Sequence, residues 1–316
     1  MQELDEVKVE TRLTSAIRLV DNKKMYDEKC KQILSDKMIL AWIMKESVEE
    51  YADVTVEDIA KYYIEGNPNV GSTEVVTGKT IYGLPTEEIG LTAGKIFYDI
   101  RYRAVAPKQD TVVELIINVE AQNKYNPGYP LVKRAVFYDG NMIAGQYGIE
   151  FDKMDYNKVK KVYSIWICRH VPKKLSNSIT CYEINERNIV GKVTEKKENY
   201  DLLSVVMIYL GKAGDEQDSN VLNLLNRLFS EDVGNEEKLA MLVEEYGIER
   251  TDKLKREVME MCNLSQGVED RGIAIGINQG IKQSRIEMAK QLLEKNMTID
   301  FILDVTKLPR EAVEAL

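Results

Sequence analysis

"FYDIRYRAVAPKQDTVVELIINVEAQNK", Phe97 to Lys124, decides how the rest of the chain is read, because two β-rich runs flank a turn and each carries a carboxylate. Residues 95–105 and 111–120 are the runs, and "PKQD" between them is a hairpin signal in which Pro and Asp mark the turn. With Lys108 and Gln109 as a two-residue loop, Pro107 faces Asp110 and Asp99 falls opposite Asn118. Glu120 is then the diagonal neighbour of Asp99 on the same face, at about 7–8 Å. Gln122 follows on that face, because side chains alternate along a strand.

Outward from this hairpin the chain reads as an α/β core. After "NPGYP", the segment "LVKRAVFYDGNMIAGQYG" predicts a helix with Leu131, Ala135, Tyr138 and Met142 on one face. "KVYSIWIC" predicts a strand buried on both faces, "TCYEINE" a further strand, and "LLSVVMIYLG" a strand or a buried helix. Upstream, "SDKMILAWIMKESVEE" predicts a helix capped by Ser35 or Asp36, and a short helix starts near Val56. The Gly- and Pro-rich stretch from Gly66 reads as an extended connection holding a short hairpin. The expected fold is a mixed sheet flanked by helices, with an N-terminal helical segment at 1–65, a core at 66–212 and a helical C-terminal region at 213–316. In that last region Gly272, Gly276 and Gly280 recur every four residues, a spacing that suits helix self-association and hence a homo-oligomer. The end, "MTIDFILDVTKLPREAVEAL", reads as a helical hairpin around "KLP".

Composition excludes several chemistries. Four cysteines without a CxxC pair, and one histidine, His170, two residues from Cys168, make no ordinary zinc spacing. Ser/His/Asp and Cys/His mechanisms would all have to use His170, which leaves carboxylate chemistry as the default. No window approaches the ~18 uninterrupted apolar residues of a membrane span, and the acidic start "MQELDEVKVETRL" lacks signal-peptide order, so a cytoplasmic protein is expected. The net charge of −9 is unevenly spread: residues 95–174 hold 14 Lys and Arg against 8 Asp and Glu, a balance of +6, leaving −15 for the rest. The carboxylate-bearing hairpin lies in the one basic region of an acidic chain, and a basic region is the electrostatic footprint of a phosphate-rich partner.

Two carboxylates on one side of a hairpin end can share a hard divalent cation such as Mg²⁺. Such a cation polarises a phosphate oxygen and acidifies a water, the requirements for phosphodiester hydrolysis. Asp99 and Glu120 would be the ligands and Gln122 the third catalytic group. The competing reading makes Asp99 and Glu120 plain ion-pair partners of Arg101, Arg103 or Arg134.

"YDIR" followed about twenty residues later by "INVEAQ" resembles the PD-(D/E)xK nuclease superfamily, in which an Asp and an ExK tripeptide lie on consecutive strands. The flanking "KIFYDIRYRA", "NVEAQNKYNPGYPLVKRAVFYDGNMIAGQ" and "VYSIWICRH" are similar to one branch, the bacterial PD-(D/E)xK nuclease family transposases, related to recombination-promoting nucleases of the Rpn type. The resemblance implies a restriction-endonuclease-like core and a Mg²⁺-dependent DNA endonuclease, with Mn²⁺ as a substitute cation, tied to mobile elements or recombination. It implies Asp99, Glu120 and Gln122 as catalytic residues, and Lys133, Arg134 and Lys124 as DNA-phosphate contacts. An additional acidic ligand often comes from an earlier element, with Glu49, Glu50, Glu87 and Glu88 as candidates and Glu87 favoured because "TEEIG" precedes the Asp99 strand. Two departures stand out. Gln122 replaces the lysine of ExK, although ExQ is the form this branch usually shows, and the helix after it carries Asp139-Gly140 at its middle, where Gly costs about 1 kcal/mol of helix propensity. A non-catalytic DNA-binding or assembly protein of the same fold is the alternative, and a nuclease acting on RNA a more distant one.

Overall fold

The computed structural model describes residues 24–66, 68–70, 87–89, 95–108, 111–122, 125–152, 155–215 and 217–316. They belong to two compact units, one of residues 25–262 and one of residues 263–316 together with Lys24.

The first unit opens with helical residues 24–34 (α1), whose buried Tyr26, Cys30, Ile33 and Leu34 recur at helical spacing. Helix α2 (Lys37–Ser47) starts where the Asp36 carboxylate accepts the Met38 N–H at 2.9 Å, and it buries Ile39, Leu40, Ala41, Ile43 and Met44. Helix α3 (Val56–Asp58) is capped by Thr55 and continues as a π-helical turn, Ile59–Tyr63. Strand β1 (Asn69–Val70) follows, and β2 (Glu87–Ile89) with β3 (Lys95–Phe97) forms a small antiparallel hairpin. The central elements are β4 (Ile100–Lys108), β5 (Thr111–Gln122), α4 (Leu131–Ala144), β6 (Lys161–Cys168), β7 (Ser178–Glu183) and β8 (Leu203–Tyr209). They build a six-stranded sheet in the order β1-β4-β5-β6-β8-β7, with β5, β6 and β8 parallel and the other pairings antiparallel. The mixed α/β class expected from the sequence is therefore present. A parallel β5–β6 pair needs a crossover, and α4 supplies it.

All eight residues of β6 are buried, as its continuous apolar run requires. On one face of the sheet α4 seats Leu131, Ala135, Tyr138 and Met142 against Ile116, Val162, Trp166, Val205 and Met207. Burying each large side chain there contributes roughly 1.5–3 kcal/mol. Asn118, Glu120 and Gln122 share the β5 face of Ile116, so the hairpin's polar residues look toward α4.

The hairpin register differs from the sequence-based expectation. The ladder runs from Ile100↔Val119 through Arg101↔Asn118 to Lys108↔Thr111, two residues out from the expected pairing. Pro107 lies inside β4, opposite Val112, instead of marking the turn. Its missing N–H is tolerated because β1 pairs only with Ile100 and Arg101, leaving the outer side of Pro107 without a ladder partner among the described residues. A shift of two preserves every face, so Asp99 and Glu120 remain on one side. They are now the next pair in line instead of diagonal neighbours.

Helix α4 runs unbroken through Asp139-Gly140. Gly140 faces open space, whereas Asp139 is fully buried and neither carboxylate oxygen has a hydrogen-bond partner among the described residues. Burial raises the Asp139 pKa well above the usual aspartate value.

Helices α5 (Asn220–Leu228) and α6 (Asn235–Glu244) lie in the same compact unit as the sheet. The physical reason is their packing with the N-terminal helices. The Glu46 carboxylate accepts the Ser219 hydroxyl at 2.5 Å and the Asn220 N–H at 2.8 Å, while the Trp42 indole N–H donates to the Tyr246 carbonyl at 3.2 Å.

Helix α7 (Asp252–Glu294) is continuous across the stretch with glycine at every fourth position, and Gly280 is exposed on it. In the second unit α8 (Ile299–Thr306) ends at Lys307, whose φ of 54° breaks the helix before α9 (Arg310–Glu314). Ala289, Ile302, Leu308 and Val313 form their small core, the helical hairpin expected around "KLP". Among the described residues no helix is long and apolar enough to cross a membrane.

Candidate active site at the end of the β4–β5 hairpin

Backbone pairing of β4 and β5 stops at Ile100↔Val119, and two side chains take over beyond it. The Asp99 N–H donates to Glu120 Oε1 at 3.0 Å, and the Ala121 N–H donates to Asp99 Oδ2 at 3.0 Å. Each carboxylate thus replaces a carbonyl that an extended ladder would have supplied. The exchange fixes both acidic groups at one point of the sheet, where an Asp and a Glu at ladder positions would otherwise project without mutual restraint.

Glu120 is only 3% exposed. Burial raises its pKa well above the ordinary glutamate value and the neighbouring Asp99 charge raises it further, while the Asp99 N–H and Arg134 act in the opposite direction. One cation is already close: Lys31 Nζ of α1 lies 2.6 Å from Asp99 Oδ1. Burial alone would lower the lysine pKa, yet the Asp99 carboxylate, by hydrogen bond and charge, carries it above the ordinary value.

On the α4 side, Arg134 donates to Tyr138 Oη at 2.6 Å through Nη2 and at 3.1 Å through Nε. Its guanidinium also lies 5.0 Å from the Tyr138 ring centroid and 5.3 Å from that of Trp166. Trp166 sits opposite Glu120 across the β5–β6 ladder and donates its indole N–H to Ser164 Oγ at 2.7 Å. Tyr98 completes the aromatic wall, 5.4 Å from Tyr138 and stacked at 4.8 Å by Arg101. Arg134 is therefore a fixed cation beside the pair, held by aromatic faces.

Of the residues singled out in the sequence, Asp99, Glu120 and Arg134 come together. Gln122 lies one step further along the same face of β5, partly buried, with its carbonyl accepting the Arg169 N–H at 3.0 Å. Lys133 is exposed on α4. Glu87 lies in β2 opposite Phe97, its side chain outside the described residues, as is Lys124 altogether. Asp99 pairs with Lys31, whereas Arg103 pairs with Glu150.

Glu49 and Glu50, considered as additional ligands, belong to another cluster. Lys161 and Tyr163 lie on the β6 face opposite that of Trp166, and there Tyr163 donates to Glu50 Oε2 at 2.6 Å while Lys161 Nζ lies 2.8 Å from Asp201 Oδ2. Glu49, Glu183 and Asp201 are close enough to hold a metal ion, with ligand atoms all within 4.8 Å. Lys197 already spans that group, at 2.6 Å from Glu49, 3.7 Å from Asp201 and 4.0 Å from Glu183. Among the described residues no comparable third carboxylate, Cys or His joins Asp99 and Glu120.

Lys31 was not legible as a site residue. "DEKCKQIL" shows only an amphipathic helix, and the contact spans 68 positions of the chain. Arg169 explains the placement: its guanidinium, 7% exposed, donates to Tyr26 Oη at 2.5 Å and lies 3.6 Å from Asp27, pinning α1 against the end of β6.

The donor set fits a hard divalent cation. Two hard carboxylates stand together, one of them buried with its pKa raised, and a lysine ammonium already occupies one of the oxygens. Compared with known proteins, the chain matches no family model, no curated protein and no solved structure. What stands on its own is the class: a mixed α/β fold with a carboxylate pair at the end of its central hairpin.

Proposed function

We propose that the protein is a divalent-metal-dependent endonuclease that hydrolyses phosphodiester bonds in DNA, associated with mobile elements or recombination. The observation that carries this reading is the side-chain exchange at the hairpin end, which holds Asp99 and Glu120 together and buries Glu120 beside a second negative charge. Glu120 itself, buried beside the Asp99 carboxylate, has no salt bridge among the described residues, which supports a bound cation as its partner.

Asp99 and Glu120 would hold Mg²⁺, or Mn²⁺ in its place. When bound, the cation supplies a Lewis acid for a phosphate oxygen and a lowered pKa for a water. The chain's own residues do the rest. Arg134, fixed by Tyr138 and Trp166, offsets phosphate charge at the α4 wall. Lys133, exposed on the same helix, contacts the neighbouring backbone, as basic side chains do to position a duplex. Gln122, on the Glu120 face, orients the attacking water through its amide.

The test is nicking of supercoiled plasmid by purified protein with Mg²⁺ or Mn²⁺. Wild type should nick, and Asp99→Ala and Glu120→Ala should each lose at least about 100-fold. Equal nicking by these variants would mean a contaminating nuclease and would sink the assignment. Binding of DNA without nicking under any divalent cation would favour the non-catalytic assembly protein, and preferential cleavage of RNA would move the substrate class.

A further inference from the structure

Gln122 carries no charge, so a phosphodiesterase site built on Asp99, Glu120 and Gln122 lacks a mobile cation for the attacking oxygen and the developing phosphate charge. Arg134 does not fill that role, because it is committed to Tyr138 through two nitrogens and wedged between aromatic rings. Lys31 is placed differently. Its only ion-pair partner at hydrogen-bond distance among the described residues is Asp99 Oδ1, at 2.6 Å, and its side chain keeps 20% exposure. The helix beneath it is immobilised: Arg169 holds Tyr26, Asp27 and Cys30 of α1, and stacks on the Tyr26 and Phe229 rings at 4.7 and 5.2 Å. A fixed backbone under a four-carbon stem gives an ammonium that can shift by some ångströms without moving the helix.

We propose that Lys31 is the cationic catalytic group of this site, resting on Asp99 while the divalent cation is absent and turning to the scissile phosphate when that cation takes Asp99. The inference rests on the reading of Asp99 and Glu120 as a divalent-cation site. A divalent cation and an ammonium held against one carboxylate oxygen repel each other, so the two compete for Oδ1. The displaced ammonium stays tethered beside the pair, where the nearest new negative charge is the substrate's phosphate. Lys31 thereby supplies from α1 the charge that Gln122 does not supply from β5.

Mn²⁺ binding by calorimetry and plasmid nicking at saturating Mn²⁺, on the full chain, test this with Lys31→Met, Lys31→Arg and Asp99→Ala. Lys31→Met should bind Mn²⁺ about tenfold more tightly, a coupling of ordinary size for two competing ligands, yet nick about 100-fold more slowly. Lys31→Arg keeps the charge, should fold like wild type by circular dichroism, and should recover part of the rate. A purely structural ion pair would lower the melting temperature of Lys31→Met without tightening Mn²⁺ binding; that result overturns the proposal. Full nicking by Lys31→Met at saturating Mn²⁺ overturns it as well. If wild type binds Mn²⁺ through Asp99 and Lys31→Met does not bind it more tightly, the proposal falls and the metal-site reading stands. If wild type binds no Mn²⁺, or Asp99→Ala binds it equally, the site reading itself falls.

Discussion

Two acidic groups sit on opposite faces of the same sheet and are built by opposite rules. On one, Glu50, Glu183 and Asp201 are met by Lys161 and Lys197, and Asp201, 3% exposed, has a lysine at 2.8 Å. On the other, Asp99 and Glu120 have backbone N–H donors, one half-buried lysine in contact and Arg134 beside them, and the buried Glu120 has its proton affinity raised. In the first group, which also holds Glu49, each lysine bridges more than one carboxylate. In the second, Glu120 is buried with no salt bridge of its own among the described residues, and that difference separates an ion-pair network from a pair held chiefly by backbone N–H groups.

Breaking the compensated group should have the larger effect on stability. Lys161→Met leaves buried Asp201 and half-buried Glu50 with one cation fewer and should cost about 3–5 kcal/mol in denaturant unfolding, with Mn²⁺ affinity at the Asp99 site unchanged. A loss below about 1 kcal/mol would make this network no more important than a surface one.

On the other face the sign should invert. Glu120→Gln keeps an acceptor for the Asp99 N–H while removing the buried charge, so the cation-free variant should be more stable than wild type at neutral pH by on the order of 1 kcal/mol. The pH dependence follows from the raised folded-state pKa. The contribution of Glu120 is fully present below the ordinary glutamate value of 4.5 and is lost as pH rises through its higher folded value, so the advantage of the variant should shrink on acidification. Added Mn²⁺ should reverse the ranking at neutral pH, because only wild type binds it. A variant less stable than wild type at pH 7 without metal would show that the Glu120 charge is compensated after all.

The smallest effect should come from Lys197→Met. Lys197 is 46% exposed and its nearest partner, Glu49, is 64% exposed, so a change of about 0.2–1 kcal/mol is expected. A substantially larger loss would place Lys197, rather than Lys161, at the centre of the compensated network.

The sheet and the helix that covers one side of it were readable because their signals are local. An eight-residue apolar run gave β6, and Leu131, Ala135, Tyr138 and Met142 at helical spacing gave the buried side of α4. The carboxylate pair was readable too, since alternation places Asp99 and Glu120 on one face under either hairpin register. The register itself was not, because proline signals a turn by its lost N–H, and the loss is harmless on a strand side without a ladder partner. Lys31 and the charge balance of each cluster were hidden for a different reason. Both depend on contacts between elements far apart in sequence, such as Lys161 with Asp201 and Arg169 with Tyr26, which no local spacing encodes.

The pinning of α1 by Arg169 also sets an order of events at birth. Asp99 and Glu120 meet across 21 positions, a short loop to close, whereas Tyr26 and Arg169 meet across 143. Loop closure of the second kind carries the greater entropic cost, and it must wait until the chain beyond β6 has been synthesised. The first described helix to leave the ribosome is among the last to find its place, and until it does the carboxylate pair lacks its lysine.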